Sequence, residues 1–366
     1  MKNKIRVAIL FGGKSAEHEV SLISARNVIK AMDKNKYEPV LIGIDKTGHW
    51  LPSLKSNLLI NGEKIHKLDI KDIVALVPQE NGRIIEIPDS KSNRMIDVVF
   101  PILHGSFGED GTVQGLLKLA NVPFVGAGVI GSAIGMDKDV MKRLLVNAGI
   151  MVGKFIVYKK HQLKIISFNK TKKQLGLPFF IKPANLGSSI GISKVHSQKE
   201  FRKAIKNAFE YDNKILIEEY IKGREIECSV LGNENPIASI PGEVISNHEF
   251  YSYNAKYLDE NGAILKIPAK LPKSTISHIQ KIAVKSFEIL CCEGMARVDF
   301  FLTPDNRVVV NEINTIPGFT SISMYPKLWE ESGISYNKLI DTLIQLAIDR
   351  FDKEAKLKTS FLLDKS

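Results

Sequence analysis

Cysteine is scarce here, with Cys228, Cys291 and Cys292 the only three in 366 residues. They form no CxxC pair, and a bridge between the adjacent Cys291 and Cys292 would be strained, so no disulfide framework is expected and a reducing, cytoplasmic compartment fits best. Long apolar runs are also lacking. Nothing approaches the roughly 20 residues of a membrane helix, and Val7 to Phe11 is too short for the core of a secretory signal. Nor is there a long basic run. Lys and Arg exceed Asp and Glu by 51 − 40 = 11, but the lysines are scattered, without an RNA-binding or zinc-finger pattern. This argues against nucleic acid and for a small phosphate-bearing partner.

What is present is ordinary for a globular chain: 44% apolar and 25% charged residues, enough to bury a core, and a length that implies two or three domains. Ile5 to Leu10 reads as a strand, Phe11-Gly12-Gly13 as a turn and Ser21 to Met32 as a helix. Strands near Pro39 to Ile44 and Ile96 to Pro101 continue the alternation, which predicts an α/β unit with a parallel sheet. Residues 51–94 turn polar, with a weak strand at Arg83 to Ile87, and read as an insertion. A helix over Val140 to Asn147 leads to strands at Phe155 to Tyr158, Pro178 to Lys182, Ile190 to Val195 and Ile215 to Glu219, with a helix over Glu200 to Tyr211. The remainder has strands at Glu225 to Leu231, Ala296 to Leu302 and Arg307 to Asn314, and helices over Thr275 to Leu290 and Tyr336 to Phe351.

Two glycine motifs say less than they promise. Gly12-Gly13-Lys14-Ser15 resembles the end of a P-loop, but position 8 is Ala where that motif needs Gly. Gly126 to Gly131 (GAGVIG) matches GxGxxG, yet the ribose-binding acid expected about 20 residues on is missing. The stretch Lys182 to Ile192 (KPANLGSSIGI) is more telling. A strand delivers a lysine, and a Gly/Ser turn follows whose backbone N–H groups suit phosphate; a plain hairpin is the alternative. In Val308 to Asn314 a buried strand turns charged, and alternation places Glu312 and Asn314 on the face of Val308 and Val310. Arg297 and Asp299 share a face of a neighbouring strand. Asp299, Glu312 and Asn314 make an oxygen-ligand set for magnesium, or else Asp299 is an acid paired with Arg297. His104 follows a strand's carboxyl end, where open α/β sheets bind ligands.

Taken in order, FGGKSAEHEVS (11–21), HGSFGEDGTVQG (104–115), GMDKDVMK (135–142), KPANLGSSIGISKV (182–195), EFYSYNAKYLDENG (249–262), GMARVDFFL (294–302) and NEINTIPGFTSISMYP (311–326) resemble the ATP-grasp superfamily, and within it the D-alanine:D-alanine ligases. The resemblance covers nearly the whole chain. It implies a three-domain architecture, α/β overall and α+β in the ATP-binding part. The N-terminal α/β substrate-binding domain would be 1–136, the central ATP-grasp domain 137–226 and the C-terminal catalytic domain 227–352, with a mobile loop about 244–266 and a tail 353–366.

The implied reaction phosphorylates one D-alanine carboxylate with ATP, and the amine of a second D-alanine then attacks the acyl phosphate, for peptidoglycan precursors. By the same resemblance Asp299, Glu312 and Asn314 hold two magnesium ions, with manganese as a substitute. Lys138, Lys182 and Lys256 contact phosphates, while Glu218, Glu219, Ile221 and Glu225 contact adenine and ribose. Arg297 and Gly318 N–H form the oxyanion hole. Glu17 binds the first D-alanine's ammonium, with His104 beside it and Ser188 and Tyr257 linking it to the loop. Ser323 and Met324 take the second D-alanine's carboxylate. The resemblance also implies a homodimer. Tyr257 after Lys256 favours D-alanine over D-lactate as second substrate. A non-catalytic nucleotide module would not need Arg297, Asp299 and Glu312 together, and a Rossmann oxidoreductase would leave the lysine and carboxylate sets unexplained.

Overall fold

The structure, a computed structural model, describes residues 4–63, 73–87, 94–246 and 263–358. The loop residues Lys256 and Tyr257 singled out above lie outside the described residues.

The strand Ile5–Gly12 is buried along Val7 to Phe11 because both of its faces are covered. Val7, Ile9 and Phe11 enter one core and Ala8 and Leu10 another, which explains a continuous apolar run instead of an alternating one. It pairs in parallel with Tyr37–Ile44 and Val98–Ile102, and Trp50–Leu51 adds an antiparallel edge. The following helix, His18–Ala31, begins three residues earlier than the pattern suggested. Residues 51–94 are not structureless. They supply the helix Ser53–Ile60 and a three-stranded antiparallel sheet in which Arg83–Ile87 is central, and Val74, Leu76 and Ile84 join the core on the Leu10 side.

A second sheet is antiparallel throughout, in the order Ser193–Val195, Phe179–Pro183, Lys214–Glu219, Phe155–Lys159. The strand expected from Ile190 is shorter, because Ser188, Ser189 and Gly191 all take left-handed φ angles (50°, 61° and 71°) and form a turn instead. The third sheet has six strands, ordered Ala263–Lys266, Gly242–Ser246, Arg224–Gly232, Gly294–Leu302, Val308–Asn314, with Ile237–Ala238 beside Arg224–Gly232. The C-terminal helix Tyr336–Glu354 does not confine its packing to that sheet. Leu339, Ile340, Leu343 and Ile344 share the core of Val7, Ile9 and Phe100 in the first sheet, at about 1.5–3 kcal/mol per buried Leu or Ile. The two ends of the chain are thereby joined by apolar burial.

The expected alternation in Val308–Asn314 fails. Phe300 pairs with Val310 but Asp299 pairs with Glu312, so Asn311 is an extra residue, a β-bulge. A bulge inserts one residue and reverses the side-chain parity beyond it. Val308, Val310 and Ile313 therefore lie in the core, while Glu312 and Asn314 face the other way, beside Asp299 and Arg297. The charge never enters the apolar face.

GAGVIG is a packing element. Pro123 to Val125 makes only a bridge, Val99 to Phe124. Arg350 donates to the Phe124 and Gly126 carbonyls at 2.8 and 2.7 Å, and a Cβ at Gly131 would sit 2.4 Å from the Cys291 carbonyl oxygen.

Candidate active site

A cavity of about 190 Å³ opens between the second and third sheets, lined by Phe180, Lys182, Glu218 and Glu219 from one and Glu225, Phe301, Val310 and Glu312 from the other. The turn residues Gly187 to Ser189 and the helix residues Lys138 and Lys142 close it. That helix, Lys138–Asn147, is started by Asp137, whose carboxylate accepts from Asp139 N and Val140 N, so its first turn is fixed where it meets the cavity. Lys138 Nζ lies 3.3 Å from Glu312 Oε2 and donates to the Leu186 carbonyl at 2.7 Å.

One turn along, Lys142 is buried and pairs with Glu218 Oε1 at 3.3 Å, while Lys182 pairs with Glu218 Oε2. Burial alone would push the Glu218 carboxyl up, but the Lys142 and Lys182 ammoniums overcome it and hold it at about 2. Burial in turn pulls Lys142 below the usual lysine value. A larger cavity, about 820 Å³, lies beside Arg350 and Cys291; its buried cation is already bonded to two carbonyls and to Glu293.

On the third sheet, strand register builds two rungs. Glu227 faces Asp299, which faces Glu312, and the next rung is Ser229, Arg297, Asn314. Arg297 is gripped from both sides. Its Nε and Nη2 each donate to Asp299 at 2.7 Å, and Nε lies 2.8 Å from Glu227 Oε2. Asn314 Nδ2 donates to Asp299 at 3.0 Å. Among the described residues no three or more His, Cys, Asp or Glu side chains are grouped to hold a metal. The set here is two carboxylates and an amide, all oxygen donors, which fits magnesium because that ion keeps waters and phosphate oxygens in the rest of its shell.

The first sheet brings a third group. Ser188 Oγ donates to Glu17 from 171 residues away, and Gly105 must be glycine there: its φ is 76° and a Cβ would stand 2.9 Å from Glu17 Oε2. His104 is buried, which holds its imidazole below the ordinary histidine value. Its Nδ1 lies 3.0 Å from the Ile316 carbonyl and its Nε2 3.3 Å from Ser24 Oγ. A carbonyl only accepts, so the neutral ring carries its proton on Nδ1. Ser323 precedes the helix Met324–Glu331, and its Oγ accepts from Thr320 N at 3.0 Å, leaving Met324 in the first helical turn, where free N–H groups favour carboxylates.

The structure thus brings Lys138, Lys182, Ser188, Glu218, Glu219, Ile221, Glu225 and Glu312 to one cavity, sets Arg297, Asp299 and Asn314 next to Glu312, and ties Glu17 to Ser188. Three further residues went unnoticed in the sequence. Lys142 was signalled by its i+4 spacing from Lys138, a like-charge pair that costs energy unless an anion sits between. Glu227 shares a strand face with Glu225. Glu109 gives no local signal, since its partner Ile316 is 207 residues away.

Residues 6–127 match the family description "D-ala D-ala ligase N-terminus" and residues 144–345 "D-ala D-ala ligase C-terminus". The chain belongs to the D-Ala-D-Ala ligase family. A D-alanine–D-alanine ligase of Oceanobacillus iheyensis is 54% identical over 98% of this chain and 99% of its own, and D-alanine–D-alanine ligase A of Escherichia coli K12 is 50% identical over the same shares. Among solved structures, the D-alanine-D-alanine ligase from Coxiella burnetii has a TM-score of 0.84 at 39% identity, covering 96% of each chain. VanG D-Ala:D-Ser ligase from Enterococcus faecalis has 0.84 at 37%, covering 94% of this chain and all of that one. The family's fold is the ATP-grasp architecture expected above. Among the described residues no helix is long and apolar enough to cross a membrane.

Proposed function

We propose that this chain joins two D-alanine molecules at the expense of ATP, through a D-alanyl phosphate, to supply D-alanyl-D-alanine for peptidoglycan precursors. The observation that carries the reading is the junction of three groups in one site: the lysine-lined cavity, the Arg297–Asp299–Glu312 rungs and the Glu17–Ser188 contact. ATP enters the cavity between the two sheets. Glu218, Glu219, Ile221 and Glu225 hold adenine and ribose, and Lys138 and Lys182 turn from their carboxylates toward the phosphates. Asp299, Glu312 and Asn314 hold magnesium, which we place as two ions that manganese replaces, and which when bound neutralises phosphate charge. Lys256 adds to the phosphate contacts from the 244–266 loop, and Tyr257 completes the link from Glu17 and Ser188.

Glu17 receives the first D-alanine's ammonium, beside His104. Its carboxylate then points to the γ-phosphate. Ser323 hydroxyl and Met324 N–H receive the second D-alanine's carboxylate, which sets its amine against the acyl phosphate. The tetrahedral oxyanion is met by Gly318 N–H and by Arg297, whose guanidinium the metal would free from Asp299. Both substrates being small, their orientation is where most of the rate comes from. The working unit is a cytoplasmic homodimer of three-domain chains with boundaries near 136, 226 and 352.

The decisive assay mixes protein, ATP, magnesium and D-alanine, with D-serine, D-lactate or L-alanine added in parallel. One ADP per D-alanyl-D-alanine is the expected result. ADP matched by a mixed D-alanyl-D-serine or depsipeptide product would move the second-substrate assignment, and no ADP would sink the reading. Ser188→Ala removes a hydrogen bond to a charged acceptor, so KM for D-alanine is expected to rise roughly tenfold or more with KM for ATP nearly unchanged, as read from steady-state kinetics.

A further inference from the structure

We propose that Glu109 is a positioning residue for the oxyanion donor: with His104 it clamps the Ile316 peptide and so aims Gly318 N–H at the reacting carbon's oxygen. This rests on the reading that Gly318 is that donor.

The chain from Thr315 to Thr320 leaves its strand and has no sheet partner. It is held instead by side chains from the N-terminal part. Glu109 Oε1 accepts from Ile316 N at 3.1 Å, and His104 Nδ1 takes the carbonyl of the same residue at 3.0 Å. On the far side of Gly318, Phe319 N donates to Ser24 Oγ at 3.2 Å and Asn27 Nδ2 donates to the Phe319 carbonyl at 3.1 Å. Ile316 and Phe319 are thus pinned at both of their backbone groups. Between them Pro317 has no N–H, and among the described residues Gly318 N–H has no acceptor. The segment is braced on either side of one free donor.

Glu109 suits the task because its two oxygens do two jobs, Oε2 accepting from Gly105 N at 2.7 Å. One carboxylate therefore ties the glycine beside Glu17 to the segment that carries Gly318, fixing the first-substrate subsite against the oxyanion hole. The charged groups that face it are Glu17, which repels it, and Lys138. Burial and then the Glu17 charge push Glu109 up to about 8, while the Gly105 and Ile316 N–H groups favour the ionised form, so both oxygens accept once the carboxyl has lost its proton. A fold that keeps a carboxyl in so unfavourable a place gains from it elsewhere. An amide has one acceptor oxygen where a carboxylate has two, so Glu109→Gln frees one of the two backbone donors without changing volume.

The test compares wild type, Glu109→Gln and Ser24→Ala, the latter probing the other side of Gly318. Amide hydrogen exchange over residues 315–320 is measured without ligands, and kcat and KM are measured with ATP and D-alanine, both at about pH 9, where Glu109 is ionised. Both variants are expected to exchange faster in this segment, with kcat down by about tenfold to a hundredfold for Glu109→Gln and KM for ATP little changed. Unchanged exchange in both variants would overturn the clamp. Faster exchange with an unchanged kcat would instead show that the clamp exists but Gly318 is not the donor, which overturns the reading beneath it. Should Glu109→Gln not fold, faster exchange and lower kcat in Ser24→Ala support the bracing of Gly318, and their absence overturns it.

Discussion

Arg297→Met is expected to cut kcat by about a hundredfold to a thousandfold while tightening the binding of a divalent cation in the absence of ATP. The two effects come from one geometry. In the unliganded site both Asp299 oxygens accept from Arg297, at 2.7 Å each, and Glu227 holds the same guanidinium from the opposite strand. A cation approaching Asp299 and Glu312 must displace Arg297, whose charge also repels it. Removing the guanidinium lifts that competition, so titration calorimetry with magnesium or manganese should give a lower Kd than wild type. Catalysis moves the other way, because a lost oxyanion-hole donor costs about a hundredfold to a thousandfold in kcat.

The variant also leaves Glu227 and Asp299 facing each other across paired strands without their cation, which destabilises by on the order of 3 kcal/mol. Magnesium should recover part of that, so its effect on Tm is larger in the variant than in wild type. A cation affinity that is unchanged or weaker would mean that Asp299 and Arg297 do not compete, and that the metal sits elsewhere.

How much of this site was readable in advance depended on the distance over which each residue acts. Strand Ile5–Gly12 and helix Gln198–Tyr211 were visible because apolar periodicity is local, and Lys138, Lys182 and Glu312 were picked out because each lies in an ordered segment that is itself distinctive. The parity of Glu312 and Asn314 was misread because alternation assumes an unbroken strand. The bulge at Asn311 is set by pairing with Gly294–Leu302, which no window of the single strand contains. Glu109 was missed for a related reason, since its meaning lies in the backbone of Ile316. The C-terminal helix looked like part of the last domain, but the side of it bearing Leu339 and Leu343 is matched to the first sheet, and only packing reveals which surface a helix covers.

Lys142 carries the second large expectation. Glu218 is held by two lysines, one on each oxygen, and only Lys182 was assigned to phosphate. When ATP arrives, Lys182 can leave Glu218 without baring a buried charge because Lys142 stays, and the vacated oxygen then accepts from the nucleotide. Lys142→Met removes that reserve. Lys182 becomes the last counter-charge of Glu218, and moving it toward phosphate exposes the uncompensated acid, a cost of the kind that reaches about 3 kcal/mol for a buried pair. KM for ATP should therefore rise about tenfold to a hundredfold, given roughly 1.4 kcal/mol per decade, with KM for D-alanine much less affected.

The same pair predicts an acid limit. The Glu218 carboxyl falls from 4.5 to about 2 in the folded chain, so its stabilisation is fully present above pH 4.5 and is lost as pH falls through 2. With Lys142 gone the folded value moves back toward 4.5 and the stabilisation shrinks. Fluorescence of the buried Trp329, followed on acidification, should show the variant unfolding at a higher pH than wild type. An acid midpoint and a KM for ATP that both match wild type would mean that Lys142 merely fills space, and that Lys182 reaches the phosphate without a second cation behind it.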